Sequence, residues 1–189
     1  MAVLVEATSV IVRREKLEAA YPGGWAGFVA DCPNKTLCAD HHLARIGFMS
    51  PVDVEGLVRH LEVIGLVFLR DGATVDIAVV DQMRGPTRRC DWLEWGHVDI
   101  EGGRVATCRL VGDAENRLIT PDGWQHGKSL SASYGFIPNG AERKSLKFLR
   151  HDNGLDVYLS RLTGKEVFIG RVYGSREGQD EPSEFGGEW

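Results

Sequence analysis

Apolar residues along this chain follow two periods, and the switch between them predicts its elements. From Val3 to Val12, one face carries Val3, Val5, Ala7 and Ile11 and the other Leu4, Val10 and Val12, the mark of a strand covered on both sides. Arg14 to Tyr21 holds helix formers around Leu17 and Ala20 and stops at Pro22-Gly23-Gly24, after which Trp25 to Ala30 predicts a second short helix. Beyond Ser50 the period becomes helical. Val54, Leu57, Val58, Leu61 and Ile64 form one stripe of a helix over about 50–64. Ser50 and Asp53 make a capping-box pattern, Pro51 suits the first turn, Met49 and Val54 form a hydrophobic staple, and Gly65 ends the helix.

Strand patterns surround that helix. Leu43 to Met49 precedes it; Leu66 to Arg70, an Asp71-Gly72 turn and Thr74 to Val80 follow it. Trp92 to Ile100 and Arg104 to Val111 flank Glu101-Gly102-Gly103 as the arms of a hairpin. Asp113 to Ser133 is rich in turn residues and reads as a long surface connection. Asn153-Gly154 and Thr163-Gly164 then divide Ser145 to His151, Leu155 to Arg161 and Val167 to Tyr173 into a C-terminal β-meander. The order predicts an α+β fold: a mostly antiparallel sheet with the 50–64 helix and one or two short helices packed on one face.

The 189 residues, 43% of them hydrophobic, suffice for one domain, taken as 1–173. The remaining 174–189 is an acidic tail: Arg176 stands against Glu177, Asp180, Glu181, Glu184 and Glu188, so it holds -4 of the net charge of -5. The body is therefore near neutral and lacks the basic face that nucleic-acid binding needs; the pairs Arg13-Arg14 and Arg88-Arg89 offer phosphate contacts, but the reading preferred for them is solvated charges beside turns. No apolar run is long enough to cross a bilayer and Met1 to Val12 lacks a signal-peptide pattern, which points to a cytoplasmic protein with Cys32, Cys38, Cys90 and Cys108 reduced.

Chemistry-bearing residues concentrate once. Cys32-Pro33-Asn34-Lys35-Thr36-Leu37-Cys38-Ala39-Asp40-His41-His42 brings two thiols, a carboxylate and two imidazoles into eleven residues; the chain has no Walker loop, dinucleotide fingerprint, nucleophile elbow, HExxH or paired CxxC. Cys32, Cys38, His41 and His42 are the ligand types zinc takes, and Cys38 beside an imidazole has the makings of a nucleophile. Five residues between the cysteines and two adjacent histidines depart from usual zinc spacing, so buried thiols and solvent-facing histidines are the competing reading.

Leu43 to Val80, with Asp53-Val54-Glu55 opening its helix and Gly65-Leu66 following it, resembles the βαββ start of a vicinal-oxygen-chelate module of glyoxalase-like proteins. The resemblance implies a small-ligand or metal-dependent enzyme, with no ligand residue carried over. Elsewhere, Trp92 and Glu94 share one face of their strand, with Asp91, Leu93, Trp95 and His97 on the other. Together with Trp124 and Trp189 they make a candidate aromatic and acidic surface for a basic protein partner. Asp76 falls on the wetter face of its strand and Asp81 begins a turn. The leading expectation is a non-catalytic protein-binding domain, of an accessory or immunity type that neutralises a partner. An enzyme using the Cys32 to His42 cluster comes second. A self-associating structural subunit is the third reading, and the oligomeric state stays open.

Overall fold

The first ten residues do not stay in one sheet. In the structure, a computed structural model that describes residues 1–100, 103–115, 117–133, 146–152, 155–161 and 166–170, the stretch read as one strand divides into β1 (Ala2–Val5) and β2 (Thr8–Arg13). Ala7 sits between them at φ 50°, a conformation that L residues other than glycine adopt only where the surroundings impose it. Gln82 imposes it here. Its Oε1 accepts the Ala7 N–H at 2.8 Å, and its own N–H donates to the Ala7 carbonyl at 2.9 Å. The kink sends β1 and β2 into different sheets, which is why both faces of the run are apolar.

Two short helices follow, α1 (Arg14–Ala20) and α2 (Gly24–Ala30), then β3 (Cys38–Ala39) and β4 (Leu43–Phe48). Next comes α3 (Pro51–Val63), thirteen residues whose Val54, Leu57, Val58 and Leu61 are buried. Ser50 is its N-cap residue but makes no side-chain capping hydrogen bond among the described residues, so the capping box does not form. β5 (Leu69–Arg70) and β6 (Ala73–Thr74) make a minimal hairpin around Asp71 and Gly72, both at positive φ, as a type I′ turn requires. β7 (Ile77–Asp81), β8 (Gly85–Pro86), β9 (Leu93–Ile100) and β10 (Gly103–Leu110) complete the central sheets. β11 (Leu118–Ile119), a 3-10 turn at His126–Lys128 and α4 (Leu130–Ser133) order what was expected to be a surface connection. β12 (Leu146–Asp152), β13 (Leu155–Ser160) and β14 (Glu166–Gly170) pair antiparallel as the meander, whose two turns lie outside the described residues.

The central strands form two sheets where one was expected: a five-stranded sheet in the order β3-β4-β2-β7-β8 and a four-stranded sheet in the order β11-β1-β10-β9. Register then assigns the faces. Val10 opposes Ile46 and Val79, and this row packs with Leu17, Phe28 and Leu61 of the helices. The alternate row, with Ile11, Leu43, Ala78 and Val80, packs instead against Val3, Leu93, Ala106 and Cys108 of the second sheet. Helices, five-stranded sheet and four-stranded sheet thus stack as three layers, with one apolar cluster in each gap. β2 lies between β4 and β7, so the Leu43 to Val80 segment is completed by a strand from outside it. Among the described residues no helix is long and apolar enough to cross a membrane.

Candidate functional site

The segment from Cys32 to His42 is drawn apart by the layering. Cys32 is half-buried against the helix-side cluster and donates its thiol to the Asn34 carbonyl at 3.3 Å. Cys38 faces the other gap, in the inter-sheet cluster, beside the Arg45 side chain. Burial pushes both thiols up, in Cys38 against the opposing pull of Arg45, which disfavours the thiolate that a nucleophile or a metal needs. His41 and His42 are exposed on a turn fixed by Asp40, whose Oδ1 accepts the N–H groups of His42 and Leu43, each at 2.7 Å. Among the described residues no three His, Cys, Asp or Glu side chains come together as a metal site, so the proposed zinc quartet is not gathered. Five residues place Cys32 and Cys38 on opposite sides of one sheet.

The tryptophan surface is also redistributed. Trp92 precedes β9, is 7% exposed, and donates Nε1–H to the Thr74 carbonyl at 3.2 Å, so it serves the interior rather than a surface. Trp124 is half-buried, its Nε1–H donating to Glu6 at 3.1 Å. Trp189 lies outside the described residues. Glu94 is half-exposed and bonded to Arg109 Nε at 2.6 Å across β9 and β10. Asp76, assigned to the wetter face, is buried, and its Oδ2 accepts the Val67 N–H at 2.9 Å. Asp81 forms its turn as expected, accepting the N–H groups of Met83 and Arg84.

One arginine missed by sequence reasoning, Arg45, organises the inter-sheet layer. Arg45 lies in the inward row of β4 with Leu43 and Gly47 and is 1% exposed. Its Nε donates to Ser9 Oγ at 2.8 Å, Nη1 to the Thr36 carbonyl at 3.1 Å and Nη2 to the Glu6 carbonyl at 2.9 Å. A Cβ on Gly47 would stand 2.5 Å from Nη2, so only glycine lets the guanidinium lie there. Glu6, buried at the sheet junction, turns its carboxylate the other way and accepts from Trp124, the Ser131 N–H at 3.0 Å and the Ser131 hydroxyl at 2.7 Å, docking the 118–133 segment. This cluster is sealed and structural. A charged residue two before a glycine, in the same strand row as Leu43, was its signal.

Arg13 lies in the same inward orientation on β2 but at the strand's last position, where the layer opens. With Glu15, His41, His42, Trp92, Leu110 and Val111 it lines a cleft of about 380 Å³. Its guanidinium carbon is 4.8 Å from the centre of the Trp92 ring. Arg14, its neighbour, is used within the fold: it pairs with Glu18 at 2.7 Å, bonds the Asp40 carbonyl at 2.7 Å and lies over Trp25. The pair read as solvated is therefore split between a cleft and a structural clamp.

A second concavity, of about 480 Å³, runs over the four-stranded sheet. Glu94, Gly96, Val98, Thr107 and Arg109 come from its outward row, and Asp99, Glu115 and Arg117 stand at its border. It shares no lining residue with the Arg13 cleft. Burial and the nearby Arg104 hold the imidazole of His97, at its edge, below the ordinary range. Compared with known proteins, the chain matches no family model, no curated protein and no solved structure.

Proposed function

We propose that this chain is a non-catalytic protein-binding domain that recognises a partner bearing basic side chains through the groove over β9 and β10. The observation that carries this reading is the groove itself: a floor open at Gly96, with the carboxylates of Asp99 and Glu115 and the Glu94–Arg109 pair around it and Arg117 as a further cation at its border. Asp99, 90% exposed and only 4.0 Å from Arg104, is held weakly within the chain and available to a partner. Small floor residues flanked by charge favour an inserted side chain over a chemical step, and charge complementarity at such a border sets specificity and association rate. An accessory or neutralising role is the finer form of the same reading.

A photo-crosslinking residue at Gly96, where a side chain meets open space, tests it in the native host. A specific protein adduct is expected there and not from Glu55 on α3, with Glu94→Gln reducing it while unfolding free energy shifts by less than about 1 kcal/mol, the ordinary worth of its exposed pair with Arg109. An adduct only with a second copy of the chain would favour the self-associating subunit instead. Equal labelling from both positions would remove the groove from the interface.

A further inference from the structure

We propose that the Arg13 cleft binds a small organic anion, a molecule with one carboxylate or phosphate head and an apolar body. The argument starts from an unmet donor. The Nε of Arg13 is buried and has no hydrogen-bond partner among the described residues. A guanidinium keeps its charge at any physiological pH, and among the described residues no carboxylate pairs with this one; its Nε is closed to solvent, so an oxyanion in the cleft would meet the Nη groups of the same guanidinium. Its position over Trp92 orients the side chain and leaves in-plane N–H groups for a two-point contact with an oxyanion.

The walls supply the remaining chemistry. Trp92 is held by its bond to Thr74, and Val111 by an N–H bond to the Trp92 carbonyl at 3.0 Å, so this side of the cleft is built rather than loose. Leu110 and Val111, the latter 49% exposed, offer the apolar contact that a bare inorganic ion does not use. His41 and His42 stand opposite on the turn locked by Asp40, and the His42 carbonyl accepts the Arg14 N–H at 2.8 Å. An imidazole donates a hydrogen bond in either protonation state, so both suit an oxyanion. Three carboxylates lie near: Glu15 is turned to solvent, 76% exposed; Asp113, close to His42, is engaged by the Met1 amine and the Glu115 N–H; and Asp40 holds the histidine turn through Oδ1, its Oδ2 being buried without a hydrogen-bond partner among the described residues. None of them is paired with Arg13 among the described residues. The volume of about 380 Å³ falls within the range of small-molecule sites.

The test follows the Arg13 Nε–H signal by NMR in the full chain, with benzoate and phenyl phosphate as probes and benzamide and inorganic sulfate as controls. At least one organic anion is expected to shift that signal saturably, and whichever binds tighter names the head group. Benzamide should not bind, sulfate should bind about tenfold more weakly, and Arg13→Gln should weaken the preferred probe by about tenfold. His41→Ala, at an exposed position, should weaken it by roughly threefold and keeps the test open if the Gln variant folds poorly. No saturable shift with either anion, unchanged affinity in the variants, or sulfate equal to the organic anions would overturn the assignment. Success or failure here leaves the crosslinking result at Gly96 untouched, because the two surfaces are built from different residues.

Discussion

Arg45 and Arg13 face the same inter-sheet gap from neighbouring strands, yet they meet opposite surroundings. Arg45 sits mid-strand, where the layer is closed, and Ser9, Thr36 and Glu6 take up its donors. Arg13 sits where β2 ends, half-buried over Trp92, with Nε matched by nothing among the described residues. A buried charge with a partner on every nitrogen serves the folded interior, whereas a guanidinium at a layer's margin, with no carboxylate paired to it among the described residues, keeps charge for a ligand in the cleft it lines. Burial lowers the Arg45 guanidinium from its ordinary range, with Cys38 and Glu6 opposing, but a group so basic stays charged. The fold therefore needs that charge partnered at all times.

The largest expected effect tests the sealed side of this contrast. Arg45→Ala strips partners from Ser9 Oγ and two carbonyls and opens a void in the gap, and should cost about 3 to 5 kcal/mol in denaturant unfolding. A loss below about 1 kcal/mol would show that Arg45 is no more structural than Arg13 and would dissolve the distinction.

Legibility in the sequence divides along the same line. The β9 and β10 hairpin, the β4 strand and the meander strands follow local periodicity, and the structure shows each of them close to its expected bounds. The second sheet was hidden, because the switch at Ala7 is imposed by Gln82, seventy-five residues away, and no glycine or proline marks it. The Cys32 to His42 cluster misled for a related reason. Proximity along the chain says nothing of which side of a sheet each residue faces, and Cys32 and Cys38 end in different apolar clusters. Arg13 was visible only as half of a basic pair. Its role depends on Trp92 and on the turn at His42, neither of which is local to it.

An intermediate effect sharpens the Arg45 side. Gly47→Ala places a methyl against Nη1 and Nη2 of Arg45 and should cost about 1 to 3 kcal/mol through overpacking. The diagnostic result is coupling. In an Arg45→Ala background the guanidinium is gone, so the same substitution should cost almost nothing, and a double-mutant cycle should return most of the Gly47 penalty as interaction energy. Additive costs would place the strain elsewhere than at the guanidinium.

The smallest effect belongs to Arg13 and completes the contrast. Arg13→Met keeps a long apolar stem over Trp92 while removing a charge and a buried donor that nothing satisfies. The lost cation–π contact is worth about 0.5 to 1 kcal/mol, and relief of the unmatched Nε acts in the opposite direction by a similar amount. Unfolding free energy should therefore change by less than about 1 kcal/mol, of either sign, against the several lost at Arg45. The backbone of Arg13 stays as it is, since its N–H bond to the Asp76 carbonyl does not involve the side chain. A loss matching that of Arg45→Ala would make Arg13 a second structural arginine and would remove the physical reason for an anion in its cleft.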